Sequence, residues 1–120
     1  MANTHLHDLQ AYLRERAVEV REIEAKGQVV LHTENDQEMY NELMREKAQV
    51  LSGLLDGATE AAGEAVLADH PEIQARIAQF SKNAKNALGV GSVFYMSALL
   101  YPDDYKDGEN NDLENFIDGL

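Results

Sequence analysis

The fold of this chain is decided by the segment NDQEMYNELMREKAQVLSGLLDG, residues 35–57. Its apolar side chains recur at intervals of three and four residues, as on one face of an amphipathic helix. They are Met39, Tyr40, Leu43, Met44, Val50, Leu51, Leu54 and Leu55. The stripe is broad enough to contact two neighbouring helices, which is typical of a helical bundle. Asn35 and Glu38 have the spacing of a capping box, so we predict a helix from there to about Asp56–Gly57.

A second amphipathic pattern precedes this segment. Apolar residues from Leu6 to Ile23 are separated by threes and fours, with charged residues between them. We predict a helix over residues 5–26 that ends at Gly27, because glycine readily adopts the left-handed conformation that follows a helix. The β-branched residues at 29 and 30 have no second strand nearby to pair with, so residues 28–32 are predicted to form an extended connector.

The segments that follow are also helical in pattern. Residues 58–68 are rich in Ala and Glu, which favours helix. Pro71 stands where a proline in the first turn of a new helix belongs. The pattern of that helix continues across Gly89 and Gly91, so a kink and a full break both remain open. Residues 92–101 are apolar almost all round, which predicts that neighbouring helices or a partner cover them.

The C-terminal segment begins with an acidic linker. Asn111 and Glu114 form a capping-box pair after it. The residues that then follow the spacing of one helical face are Leu113, Phe116, Ile117 and Leu120. We therefore predict an all-α fold, an antiparallel bundle of three to four main helices over residues 1–102. Residues 103–120 are predicted to form the linker and a short amphipathic helix of the same domain.

The composition narrows the classes of partner. The 120-residue chain has 22 acidic and 10 basic residues and a formal net charge of −12. This charge argues against a nucleic-acid backbone or an anionic membrane as partner, and favours a basic protein or peptide. The chain has no cysteine, no signal-peptide pattern and no apolar run approaching about 18 residues. We therefore expect a soluble cytoplasmic protein.

One motif points to a metal ion. The acidic spacing of an EF-hand calcium loop is nearly reproduced by residues 103–114, DDYKDGENNDLE. The candidate ligands are Asp103, Asp107, Glu109, Asn111 and Glu114. Tyr105 supplies no suitable oxygen at the third position, and Pro102 strains the last turn of an incoming helix. The residues therefore favour an acidic linker with a glycine turn, and calcium is the one cofactor that the sequence leaves open.

Other constellations offer little for catalysis. Four histidines lack the i, i+3 or i+4 spacing of a helical metal site, so we interpret them as surface or capping residues. They are His5, His7, His32 and His70. Acidic pairs on the first two helices resemble the carboxylates of magnesium-dependent hydrolases, but the partner Glu-x-x-Asp occurs only at Glu109–Asp112 in the tail. With no cysteine and no serine elbow either, we predict a non-enzymatic protein.

These observations favour an interaction protein, an adaptor or chaperone-like module that binds another polypeptide through an apolar helical face framed by acidic residues. The predicted contact residues are Phe94, Tyr95, Tyr101, Leu113, Phe116, Ile117 and Leu120. The same surface would serve a homodimer. The alternatives are an acidic inhibitor or antitoxin-like mimic of nucleic acid, a calcium-responsive helical module and a metal-dependent bundle hydrolase. No motif ties the chain to a particular family.

Overall fold

In the computed structural model, the described part of the chain is residues 2–120, with side chains described from residue 6 onward. It consists of α-helices joined by short turns and one longer loop. The helices are α1 (Ala2–His32), α2 (Gln37–Ser52), α3 (Leu54–Ala62), α4 (Glu64–Asp69), α5 (Pro71–Val90), α6 (Val93–Ala98) and α7 (Asp112–Asp118). This architecture confirms the predicted all-α class. Over these residues, none of the helices has the length and apolar character needed to cross a membrane.

The first helix is longer than its pattern predicts. It spans 31 residues, about 46 Å at 1.5 Å per residue, and runs through Gly27 without interruption. A Cβ atom at Gly27 would lie 3.1 Å from the Met44 Cε atom and 3.4 Å from the ring of Tyr40. This glycine therefore lets α2 cross close to α1 and does not end the helix. The predicted end at Gly27 and the extended connector over residues 28–32 were wrong, because packing against α2 overrides the β-branched preference there.

The turn between α1 and α2 is capped one residue later than predicted. Asn35 has a positive φ of 54°, a left-handed conformation that Asn tolerates well. The cap of α2 is Asp36, whose carboxylate accepts a hydrogen bond of 3.0 Å from the Met39 backbone N–H. The Asn35–Glu38 capping box was therefore wrong in detail, because Asn35 serves to reverse the chain and its neighbour caps the helix.

The second helix ends at Ser52, earlier than predicted, and the chain continues directly into α3 after Gly53. A buried serine of α5 holds this junction. The Ser81 hydroxyl accepts a hydrogen bond of 3.0 Å from the Leu55 N–H and donates one of 3.2 Å to the Leu51 carbonyl. Backbone groups left without helical partners at the break are satisfied in this way.

The fifth helix begins at Pro71, as predicted, and ends in a full break. Gly91 has a left-handed φ of 73° and closes α5. The Ser92 hydroxyl then caps α6 by accepting from the Tyr95 N–H at 3.2 Å. A kink and a break were both open on sequence grounds, and the left-handed glycine decides for the break.

The main core brings together residues of α1, α2, α3, α4, α5 and α7 with one residue of the loop after α6. Its buried residues are Leu9, Leu13, Ala17, Val20, Leu51, Leu54, Ala58, Ala62, Leu67, Ile77, Phe80, Ala84, Leu100, Leu113 and Ile117. A smaller cluster fills the space between α1, α2, α5 and α6. It consists of Ile23, Leu43, Met44, Ala48, Ala87 and Met96. The α7 helix thus completes the main core of the bundle.

Gly57 and Gly89 form a matched pair for testing this packing. A Cβ atom at Gly57 would overlap the hydroxyl end of Tyr12, whereas nothing lies within 4 Å of the corresponding position at Gly89. We expect Gly57→Ala to lower the free energy of unfolding by about 1–3 kcal/mol through overpacking. We expect Gly89→Ala to raise it by about 0.5 kcal/mol, because alanine is the better helix former. Urea unfolding followed by circular dichroism measures both, and equal effects would contradict the close contact at Gly57.

Candidate functional site

A lysine with no solvent exposure lies between α1 and α2. Lys47 is 0% exposed, yet it occupies the face of α2 that also carries Leu43 and Leu51. Its Nζ atom lies 2.9 Å from Glu24 Oε2. The same ammonium group donates a hydrogen bond of 2.9 Å to the Ser97 carbonyl at the end of α6. Because a buried charge without partners is very costly, this lysine requires all three elements to meet here.

The loop after α6 adds an aromatic residue to this pair. The Tyr101 hydroxyl donates a hydrogen bond of 2.6 Å to Glu24 Oε1, so both oxygens of that carboxylate are occupied. The Tyr101 ring centroid lies 5.0 Å from Lys47 Nζ and 5.7 Å from Arg21 Cζ. Two cations of the chain therefore lie near one tyrosine ring, within the range of cation–π attraction.

Arg21 extends the network to the C-terminal helix. Its guanidinium donates to both oxygens of Glu114, with distances of 3.1 Å and 2.7 Å, and also to the Glu109 carbonyl at 3.1 Å. The Glu114 carboxylate accepts in addition the Asn111 N–H, which completes the predicted capping box. Bidentate pairing of this kind orients both partners, so α7 is held in one register on α1.

The surroundings shift the protonation of these groups. Burial lowers the pKa of Lys47, and the neighbouring Glu24 carboxylate only partly opposes this. Burial, followed by the hydrogen bond to Glu24, raises the pKa of Tyr101. The hydrogen bond from Arg21 holds the pKa of Glu114 below its ordinary value. Each charged group of the network thus depends on its partner in the folded state.

An open cleft of about 610 Å³ lies above this network. Its walls come from α1, α2, the end of α6 and the loop that leads to α7. We call it the tyrosine cleft after three of its lining residues, Tyr40, Tyr101 and Tyr105. The same wall includes Arg21 and Glu24. A concave surface next to titratable groups with shifted pKa values has the general character of a ligand site.

A second surface feature lies where α5 meets α6. Val90, Phe94 and Tyr95 are 69%, 75% and 56% exposed, and we call these three residues the elbow patch. The rings of Phe94 and Tyr95 contact each other edge to face, with centroids 5.8 Å apart. A groove of about 470 Å³ adjoins the patch, and Val90, Tyr95 and Asp112 are among its lining residues.

The predicted contact residues fall into two groups. Phe94 and Tyr95 are exposed, as an interaction surface requires. Leu113 and Ile117 are buried in the chain's own core at 0% and 1% exposure, and Phe116 and Leu120 pack against that core. Tyr101 is held by Glu24. In this structure the amphipathic face of α7 packs against the core of the same molecule, so Leu113 and Ile117 do not form an open surface for another chain.

The predicted calcium ligands are spread among different contacts. Glu114 binds Arg21, Asn111 caps α7, and the Glu109 carboxylate accepts the Lys106 N–H at 2.9 Å. Asp103 and Asp107 lie exposed in the loop. No group of three or more Asp, Glu or His side chains within the described residues is arranged to hold a metal ion. Calcium binding stays a prediction.

Among the described residues, the contacts of His70 bear on the sequence interpretation of the histidines. The His70 Nδ1 atom lies 3.0 Å from the Val66 carbonyl, a local contact at the start of α5. It precedes Pro71 as expected of a cap residue, but it makes no side-chain cap bond to α5. The side chain of His5 lies outside the described residues.

The buried pair of Lys47 and Glu24 was missed in the sequence. The signal is present, because Lys47 follows Leu43 by four residues and Met44 by three, and so falls within the apolar stripe of α2. A charged residue at such a position requires a partner on a neighbouring helix. Which of the many acidic residues of α1 that partner is depends on how the two helices align.

Comparisons with models of protein families, with curated proteins and with solved structures found no match for this chain.

The buried pair can be tested by a double-mutant cycle. We expect Lys47→Met and Glu24→Gln each to lower the free energy of unfolding by about 3 kcal/mol, because each leaves the other group buried without its charged partner. The double variant removes both charges. Its loss of unfolding free energy should be smaller, by at least about 2 kcal/mol, than the sum of the losses in the two single variants. As a control, Arg14→Met removes the exposed pair with Asp118 and should cost less than about 1 kcal/mol. Additive effects of the first two changes would contradict the pairing.

The Arg21–Glu114 contact predicts a pH dependence of stability. Because the pKa of Glu114 is lowered by folding, the unfolded chain takes up the proton first as the pH falls. The stabilisation is therefore complete above the ordinary pKa of 4.5 and is lost as the pH falls through the lower folded value.

A charge-neutral variant measures this contribution. We expect Glu114→Gln to cost about 1–3 kcal/mol at pH 7, the range for hydrogen bonds to charged groups. At acidic pH, the free energy of unfolding of this variant should approach that of the unchanged protein. The control is Asp103→Asn, at an exposed position of the preceding loop, and denaturant unfolding at several pH values is the measurement. A difference that persists undiminished in acid would rule out the charge as its cause.

Proposed function

We propose that this protein is a non-enzymatic binding module, an adaptor or chaperone-like protein that holds another polypeptide at the elbow patch. The observation that carries the proposal is the exposure of Val90, Phe94 and Tyr95 within six residues of sequence. Aromatic side chains supply much of the binding energy at protein interfaces, especially next to a groove. Leaving two of them in water forgoes the stabilisation that their burial would give, and a binding role explains this exposure.

The elbow patch differs from the other exposed apolar positions. Val18, Val29 and Met39 are also exposed, at 55%, 54% and 41%, but they are separated along α1 and α2. Single exposed apolar residues are ordinary on protein surfaces, whereas a contiguous aromatic pair beside a groove is less so. The patch is therefore the better candidate for contact with a partner.

The charge of the protein indicates the chemistry of that partner. The net charge is −12, and Asp112 lines the groove beside the patch. Asp103 and Asp104 follow Pro102, another residue of the same groove. Complementary charge speeds association and selects among partners. We propose that the bound segment carries an apolar side chain for the patch and a lysine or arginine for the acidic rim.

Binding in place of catalysis is supported by the state of the perturbed groups. Lys47, the most buried of them, has its ammonium group engaged by Glu24 and Ser97 and has no exposed surface. A general base or nucleophile has to reach its substrate. The proposed place of action is the cytoplasm, in keeping with the absence of cysteine.

The proposal is tested by peptide selection. A library of peptides combining apolar positions with Lys and Arg is compared with a library in which Glu replaces the basic positions. We expect enrichment from the basic library only. Phe94→Ser should lower the affinity of the protein for the selected peptides at least tenfold, which corresponds to about 1.4 kcal/mol of binding free energy.

A matched control separates the patch from general apolar exposure. Val29→Ser removes a valine of α1 that is 54% exposed and lies outside the patch, and it should change affinity less than about twofold. Peptides that bind the Phe94→Ser variant equally well would overturn the assignment of the patch. Binding that falls with salt but not with Phe94→Ser would favour the acidic-mimic alternative. Self-association in light scattering that Phe94→Ser abolishes would replace the foreign partner by a second copy.

A further inference from the structure

The tyrosine cleft carries one carboxylate more than its own cations neutralise. Arg21 is paired with Glu114, and Lys47 with Glu24. Asp107 also lines the cleft, and within the described residues its carboxylate takes part in no ion pair. Since the other charges cancel in pairs, Asp107 leaves the cleft with an unmatched negative charge.

The aromatic walls of the cleft are suited to a cation. The ring of Tyr101 already lies near Lys47 and Arg21, at 5.0 Å and 5.7 Å, so the chain itself uses this type of contact here. Tyr40 and Tyr105 line the same cleft. Among the side chains that the structure describes, no cation lies over either of these two rings. Their π-electrons add to the attraction of Asp107 for a positive charge.

The size and composition of the cleft indicate an organic cation. A volume of about 610 Å³ falls in the range of small-molecule sites. Met44 and Ala25 give the wall an apolar part, against which an alkyl chain can pack. A bare metal ion would find one carboxylate without an ion-pair partner and rings that do not ligate it.

We propose that the tyrosine cleft binds an ammonium or guanidinium group carried on an alkyl chain, with its charge beside Asp107 and the rings of Tyr40 and Tyr105. A lysine or arginine side chain of another polypeptide and a free polyamine share this chemistry. The net charge of −12 raises the local concentration of either. The inference rests on the cleft alone and does not require the elbow patch to bind a partner.

The experiment is a titration of the whole protein followed by amide NMR spectra. The probes are N-acetyl-lysine methylamide, N-acetyl-arginine methylamide and spermidine, with uncharged N-acetyl-norleucine methylamide as the matched neutral probe. We expect saturable shifts at Gln28 and Gly108, two lining residues of the cleft, with cationic probes only. Saturation by the amino-acid probes identifies a side chain as the source of the cation, and saturation by spermidine alone identifies a polyamine.

Variants then assign the binding groups. Asp107→Asn should lower the affinity for the cationic probes about tenfold, the effect of losing a charge-assisted contact. Tyr40→Leu should lower it about threefold. Asp69→Asn makes the same change in charge at an exposed position of α4 outside the cleft and should change affinity less than twofold. Thermal melts check that each variant is folded.

Two outcomes would overturn the inference. One is the absence of saturable shifts with all three cationic probes. The other is equal weakening by Asp107→Asn and Asp69→Asn, since this would show that only the overall charge attracts the probes. Phe94→Ser should leave probe binding unchanged, so a failure of the elbow patch and a failure of the cleft are told apart.

Discussion

The buried ammonium group of Lys47 is the constraint on which the rest of this structure depends. A charge removed from water must be given a counter-charge and hydrogen-bond acceptors, or the folded state is lost. Glu24 supplies the counter-charge from α1, and the Ser97 carbonyl supplies an acceptor at the end of α6. The C-terminal end of a helix has carbonyls without helical partners, and the helix dipole there favours a nearby cation. One side chain thus sets the alignment of α1 with α2 and also where the end of α6 lies against them.

The same network determines which apolar surface remains outside. Arg21 lies one turn of α1 before Glu24 and holds Glu114, so the C-terminal helix is bound where its apolar face can enter the core. That face was expected to meet a partner, and it is instead used within the chain. The elbow patch remains exposed at the break between α5 and α6, where Gly91 and Ser92 end one helix and begin the next and Phe94 and Tyr95 face the solvent. The tyrosine cleft is a second surface feature, and it lies between the Lys47–Glu24–Arg21 network and the loop that leads to α7.

Much of the fold followed from local patterns. The start of α5 at Pro71 and the capping box at Asn111 and Glu114 were predicted correctly, because each depends on residues within one turn of helix. Of the candidate site, the exposed aromatic pair was identified and the cleft was not. The cleft depends on residues from four separated parts of the chain, and the acidic linker contributes Asp107 to its lining.

By itself the sequence determined that this protein is helical, acidic and built around amphipathic stripes, since periodicity and charge are properties of neighbouring residues. Tertiary structure alone decided the roles of Gly27 and Lys47. Gly27 has the same conformational freedom as any glycine, and only the approach of Met44 turns it from a helix end into a crossing point. From the sequence, Lys47 is a charged residue within an apolar stripe, and only the fold brings the Glu24 carboxylate and the Ser97 carbonyl into contact with it. Both outcomes depend on groups distant in sequence, and local spacing does not specify which distant groups will meet.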